Sequence, residues 1–391
     1  MAIYLAQLGL KEAQIGLLLT LTLLGDTAVS LWITTNADRI GRKRMLLAGA
    51  ALMIFAGVLF ALTRNFYLLL LAATIGVISP SGYEVGPFLS IEQASISQLV
   101  PDELRTRLFA WYNLAGSFAT ATGALVSGLL AQQLQNSGLS PLSSSRIVVL
   151  GYGVIGFFLL SLFTGLSPAV EIVKPTVREK DPGRSSITQT QRSSLGLHRS
   201  QKIVLRLAAL FSLDAFAGGF VVQSLVAYWF HVKFGVALGV LGSIFFAANL
   251  LAGISALSAA WVAKRVGLIN TMVFTHLPSN VLLMLVPLMP GLSLAVTVLL
   301  LRFSISQMDV PTRQSYTMAM VDPDERSAAA GITGVARTIG ASLAPVFSGV
   351  FLSNPLLLGL PFFISGGLKI VYDLALYRSF RGLRPPEERE Y

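Results

Sequence analysis

Residues 37–44 read Ala37-Asp38-Arg39-Ile40-Gly41-Arg42-Lys43-Arg44, a basic turn set between two apolar runs, Ala13 to Asn36 and Met45 to Thr63. Each run approaches the roughly 20 residues that carry a helix across about 30 Å of hydrocarbon. The stretch therefore reads as a short loop joining two membrane helices, its cations anchored at the headgroup level.

The same alternation of apolar run and short polar turn recurs along the 391 residues. It predicts eleven spans, at 13–36, 45–63, 66–99, 108–131, 147–167, 203–230, 236–263, 269–289, 292–321, 327–352 and 356–377. No period-2 strand series is present, which argues against a barrel and for an all-α, polytopic membrane protein. Composition agrees: 54% hydrophobic and 12% charged residues leave too little polar surface to cover a soluble fold.

The net charge of +10 would suggest nucleic acid in a soluble chain, but its placement has a simpler cause. On one side of the drawn topology lie the basic residues of 39–44, 105–107, 174–206, 264–265, Arg326 and 378–389, while the other holds only Lys11, Arg64, Arg146 and Lys233. That asymmetry is the positive-inside rule, so the basic loops and the C-terminus are expected in the cytoplasm. The lipid bilayer, not nucleic acid, is the expected partner, and a plasma (cytoplasmic) membrane monomer the expected form. There is no cysteine, which removes disulfides and thiolate chemistry, and residues 1–10 lack the basic start and cleavage-like site of a signal peptide.

Residues 168–202 break the apolar pattern with Pro168, Pro175 and Asp181-Pro182-Gly183, followed by a Ser/Thr/Gln/Arg mixture. They are expected to be a cytoplasmic linker between an N-terminal bundle, 1–167, and a C-terminal bundle, 203–378, with a tail at 379–391. The halves repeat weakly. Gly9, Gly16, Arg39 and Gly41 fall opposite Gly235, Gly242, Arg265 and Gly267; at an offset smaller by five, Gln93, Val100, Arg105 and Gly128 fall opposite Gln314, Val321, Arg326 and Gly349. Parallel repeats of this kind fit an alternating-access transporter.

The basic turn also resembles the signature loop of the major facilitator superfamily: Gly, three residues, Asp, a basic residue, any residue, Gly, then two basic residues. Asp38, Arg39, Gly41, Arg42 and Lys43 match, while Thr34 replaces the first Gly. Pro101-Asp-Glu-Leu-Arg-Thr-Arg107 and Asp322-Pro-Asp-Glu-Arg326 resemble the family's fourth and tenth helix exits. The resemblance implies a two-bundle helical architecture and a gate latch at 38–43, against which stands simple topological anchoring of the turn. It also implies that the first helix is absent, that residues 4–12 are the external loop after it, and that the first, fourth, seventh and tenth helices line a central cavity.

Charges at membrane depth are costly and usually face a cavity or a partner. Here they are Asp26, Glu84, Glu92, Asp214, Arg302, Asp309, Arg313, Arg337, Lys369 and Asp373. Glu84 sits mid-span in Gly82-Tyr-Glu-Val-Gly86-Pro87, where two glycines and a proline permit a bend; it is either a proton or cation site or a carboxyl paired with a neighbouring helix. Asp214, with Gly218 and Gly219 one turn on, has the same two readings. Asp309 and Arg313 are spaced to pair on one face beside Pro311, with Arg302 two turns back. Arg302 suits an anionic substrate group or an ion pair with Glu92 or Asp309. Asp26 is a further relay candidate or a buried interhelical hydrogen bond, and Gln223 and Asn249 are substrate contacts or helix ties. Lys369 and Asp373, also four apart, are expected to form a structural pair on a peripheral twelfth helix.

Gly151-Tyr-Gly153-Val-Ile-Gly156 matches a dinucleotide fingerprint but lies in an apolar span, where helix packing explains it better. His198, His231 and His276 show no metal-ligand spacing, and no catalytic triad or phosphate loop is present, so neither an enzyme nor a cofactor is expected. The expected function is a secondary transporter moving a small solute by alternating access, with protons as a coupling partner. A non-transporting receptor or scaffold on the same fold, or an inactive truncated transporter, is the alternative.

Overall fold

The computed structural model describes residues 1–78, 88–99, 102–171, 197, 199–322 and 325–383. Fifteen α-helices run through them: α1 (Ala2–Gln7), α2 (Glu12–Ile40), α3 (Arg42–Leu62), α4 (Phe66–Ile75), α5 (Phe88–Leu99), α6 (Asp102–Asn136), α7 (Pro141–Thr164), α8 (Gln201–Gly219), α9 (Gln223–Phe234), α10 (Leu238–Val266), α11 (Leu268–Leu285), α12 (Leu292–Ile305), α13 (Asp309–Ala319), α14 (Arg326–Leu352) and α15 (Leu360–Phe380). Among these residues ten helical segments are long and apolar enough to cross a membrane, and α4 is a shorter apolar helix. The all-helical, membrane-spanning expectation holds.

Local chemistry sets the helix ends. Asn65 accepts from the backbone N–H groups of Tyr67 and Leu68 at the start of α4, and Ser140 accepts from Ser143 N–H ahead of Pro141 at the start of α7. Gly41 (φ +120°) and Gly267 (φ +86°) each join two long helices through a backbone that side chains with a Cβ rarely adopt.

Three expected spans are interrupted. Segment 66–99 is not one helix: α4 stops at Ile75, where Gly76 turns extended (ψ 144°) and lies so close to Ala56 that no Cβ fits. Segment 203–230 breaks at 220–222 after Gly218-Gly219, and segment 292–321 breaks at 306–308 just ahead of Pro311. A proline lacks the N–H that would bond the carbonyl four residues back and its ring crowds that carbonyl, so Pro311 favours the break between α12 and α13, although α11 and α14 run on through Pro278 and Pro345. Freed backbone groups find side chains instead: Gln307 N–H donates to Ser255 Oγ at 3.2 Å, and Phe220 O accepts from Ser348 Oγ at 3.0 Å. Residues 4–12, expected as a loop, also differ. Tyr4 and Leu5 are buried in α1, with the Tyr4 hydroxyl donating to Phe60 O at 2.5 Å.

The two halves meet at the end of the molecule away from the basic turns. There α2 crosses α14 and α6 crosses α10 with backbones in contact: a Cβ on Gly16 would lie 2.5 Å from Pro345 O, and one on Gly128 would lie 2.6 Å from Leu238 O. One apolar core spans both halves at that end, joining Leu5, Ile15 and Phe60 to Trp229, Phe245 and Phe362. Toward the basic turns the cores separate, one around Ile33, Met45 and Phe88 and another around Phe211, Met272 and Tyr372. The halves are thus packed together at one end and independently at the other. Near the joined end a cavity of about 370 Å³ lies between them, with Tyr152, Ser127, Gln223 and Ser224 among its lining.

Candidate functional site

The second half buries a network of ions drawn from four helices. Asp214 on α8 accepts from Lys369 Nζ of α15 at 2.6 Å and from Arg313 Nη1 of α13 at 3.2 Å. The same Arg313 nitrogen donates to Asp309 at 3.1 Å, the i, i+4 pair expected from the spacing. On α11, His276 Nδ1 lies 2.9 Å from Asp373 Oδ1 and its Nε2 lies 3.9 Å from Asp214 Oδ1; Asn280 Nδ2 donates to the other Asp373 oxygen at 2.9 Å. All six ionisable groups are at most 7% exposed. Charges so placed persist only when each has a partner, since desolvation costs several kcal/mol per ion.

This network corrects two expectations. Lys369 and Asp373 do not pair with each other: one reaches Asp214 and the other His276 and Asn280. Their helix is therefore not peripheral, for α15 delivers both into the interior. His276 had no partner visible in sequence because its two polar contacts, Asp373 and Asp214, lie on other helices, 97 and 62 positions away (276 − 214 = 62). The breaks position the site: Asp309 opens α13 immediately after one break, and Asp214 lies two turns before another.

The remaining candidates lie apart from this network. Glu92 on α5 accepts from the Tyr112 hydroxyl of α6. Asp26 on α2 is buried and within electrostatic reach of Tyr152. Arg302 lies on α12, its guanidinium over the Phe303 ring at 5.1 Å. Asn249 donates to Gln223 at 3.3 Å, tying α10 to α9. Glu84 lies outside the described residues. Of the glycines in the rejected fingerprint, Gly153 and Gly156 do pack on α3, against Gly57 and Met53. Among the described residues no group of three or more His, Cys, Asp or Glu is arranged to hold a metal ion.

At the basic turn the structure adds a residue that sequence reasoning missed. Glu171 accepts from the backbone N–H groups of Arg42 at 2.8 Å and Lys43 at 3.2 Å, so a carboxylate caps the positive end of α3. Arg42 is buried and donates to Gln98 Oε1 at 3.0 Å, while Lys43 Nζ donates to the carbonyls of Thr164 and Leu166 at 2.7 and 2.8 Å. Gly41 leaves room for the cap, since a Cβ there would stand 3.2 Å from Glu171 Oε1. Arg39 is exposed, and the Asp38 side chain lies outside the described residues. The second half has a matching device: Glu325, fully buried, accepts from Arg199 and Ser200 N–H at 2.8 and 2.9 Å at the start of α8. Neither acid lies near its helix start in sequence, since 129 positions separate Glu171 from Arg42 and 126 separate Glu325 from Arg199.

The uncharacterized membrane protein YJR124C of Saccharomyces cerevisiae is 30% identical over 402 residues, spanning 98% of this chain and 90% of the yeast protein. Among solved structures, a nucleoside transporter, NupG, superposes with a TM-score of 0.72 at 14% identity, covering 97% of this chain and 94% of its own. A D-xylose-proton symporter superposes with a TM-score of 0.71 at 15% identity, covering 96% and 90%. The Major Facilitator Superfamily profile matches residues 1–345. With two helical bundles, the basic turn between α2 and α3, and a family match over most of its length, the chain belongs to the major facilitator superfamily.

Proposed function

We propose that this chain is a secondary transporter that moves a small solute across a membrane by alternating access, with proton movement coupled through the buried network of its second half. The observation that carries the reading is the conjunction of interrupted helices with paired charges at mid-depth. Asp214 lies 13 residues into α8 (214 − 201 = 13), about 20 Å from its start. Broken helices facing a cavity are how transporters present binding groups at the bilayer midplane. Asp214 and Asp309 share Arg313, and Asp214 and Asp373 share His276, so protonating one acid releases its partner to move to another. Glu84 remains a second proton site by the same logic.

The joined end and the open end give the proposed direction of access. With the basic turns in the cytoplasm, as the positive-inside rule has it, the separately packed ends of the halves face inward and the C-terminus is cytoplasmic, in a plasma membrane protein working as a monomer. The cap of Glu171 on α3 and the Lys43 and Arg42 contacts then serve as the latch that the family resemblance implies.

The test is proton flux in proteoliposomes carrying an internal pH dye, challenged with a solute library. Solutes that move protons in the wild type are expected to lose that coupling in Asp214→Asn and in Glu84→Gln, with His276→Gln reporting on the second carboxylate. Coupling unchanged in every variant overturns the proton role; no solute-dependent flux in the folded wild type overturns transport.

A further inference from the structure

Arg337 stands beside the ion network without joining it. It lies on α14, 11 residues from Arg326 (337 − 326 = 11), about 16 Å along the helix from the basic end. Ala341 and Ala344, four and seven residues on, pack against Gly219 of α8, so Arg337 sits on the face that α14 presents to α8. Asp214, Asp309 and Arg313 are within its electrostatic reach, and Arg313 opposes it. Yet Arg337 makes no hydrogen bond or ion pair with any described residue, and its Nε is buried unpaired.

The neighbouring acids explain why. Asp214 is taken by Lys369 and Arg313, Asp309 by Arg313, and Asp373 by His276 and Asn280. Each carboxylate of the network already holds another partner, and among the described residues none stands within ion-pair distance of Arg337. A half-buried guanidinium beside another arginine at membrane depth is unfavourable in the empty protein. Such a group is retained at a cost where something else completes it, and the chemistry that completes a guanidinium is a planar pair of oxyanion oxygens.

We propose that Arg337 is the anchor for an anionic solute, a small molecule whose carboxylate or phosphate oxygens pair with the guanidinium at mid-depth. This rests on the transporter reading and adds to it the charge class of the solute. The anion supplies acceptors for the guanidinium N–H groups that the network leaves without a partner, offsets the repulsion of Arg313, and brings the solute alongside the proposed proton site at Asp214.

The experiment is thermal unfolding of the purified full chain in detergent, with succinate, benzoate and inorganic phosphate as probes, and xylitol and tetraethylammonium as neutral and cationic controls. An anion of the three is expected to stabilise the wild type saturably while the controls do not. Arg337→Gln is expected to raise the midpoint of the empty protein and to weaken the anion's effect at least about tenfold, with Arg337→Lys intermediate. A structural arginine would give the opposite first result, so a lowered midpoint or failure to fold overturns the proposal. So does an anion response unchanged in Arg337→Gln, or none in the wild type. In proteoliposomes, coupled flux of a neutral or cationic solute that survives Arg337→Gln rejects the anion class and leaves the transporter standing. Anion binding lost in Arg337→Gln without any flux in the wild type rejects transport and leaves the site standing.

Discussion

Glu171 and Gly41 act as one device. The glycine turns with φ +120°, which frees the first N–H groups of α3, and the carboxylate closes on two of them. Gln98 braces the arrangement, donating to Glu171 O at 2.7 Å while accepting from Arg42. Losing a side-chain cap costs about 0.5–2 kcal/mol, so Glu171→Ala is expected to destabilise by that amount in a denaturant series on the purified protein. Glu171→Gln keeps an acceptor but loses the charge that favours a helix N-terminus, and is expected to fall between the two. An alanine variant as stable as wild type would remove the cap from the account of the turn. The basic turn itself was legible from its own eight residues, because its cations mark a headgroup boundary. Its capping acid was not, since 129 positions separate Glu171 from Arg42 and only the fold brings them together.

Helices α2, α14, α6 and α10 hold the molecule shut at one end, and glycine is what lets them approach. At Gly16 and Gly349 the two backbones touch, and at Gly128 and Gly242 they touch again. Small residues at helix crossings serve this purpose in bilayers, where apolar side chains gain nothing from leaving lipid. Gly16→Val and Gly242→Val are each expected to cost about 1–3 kcal/mol through overpacking, read as a lowered unfolding midpoint in detergent. Gly151→Val is the control, because a Cβ there meets nothing within 4 Å. Equal effects at all three positions would mean that the crossings are not tight. Element by element, the sequence showed where apolar helices run, since length and hydropathy suffice for that, but it did not show where they stop midway. The bend expected at Gly82 to Pro87 lies outside the described residues, and α4 already stops at Ile75. The interruption at 306–308 precedes Pro311 and the one at 220–222 follows a Gly218-Gly219 pair, and a membrane helix can absorb either signal, as α11 and α14 absorb Pro278 and Pro345. His276, Lys369 and Asp373 escaped as site residues for a related reason. Their partners lie on other helices, and sequence spacing reports only pairs on the same one.

The weak repeat acquires its meaning at the scale of the whole molecule. Gly16 corresponds to Gly242 and Gly128 to Gly349, and the contacts are Gly16 with Gly349 and Gly128 with Gly242. Each contact is therefore the image of the other under exchange of the halves, as an axis along the membrane normal requires. The positive-φ pairs obey the same relation, Gly9 with Gly235 and Gly41 with Gly267. Two bundles joined by a symmetric pair of crossings and packed separately elsewhere can rock about that junction, and rocking that closes the basic end must loosen the other. The chain has no cysteine, so paired labels can be introduced without background. Labels at Arg39 and Lys264 report the basic end, and labels at Ser137 and Ser353 report the joined end; all four positions are exposed. Electron–electron distance measurements in lipid are expected to show the first pair shortening and the second lengthening on acidification in the presence of a solute that moves protons. Because one rigid-body motion produces both changes, they must appear together and at the same solute concentration. Movement at one end alone would point to a local gate instead of rocking halves, and two static distributions would mean a scaffold built on a transporter's fold.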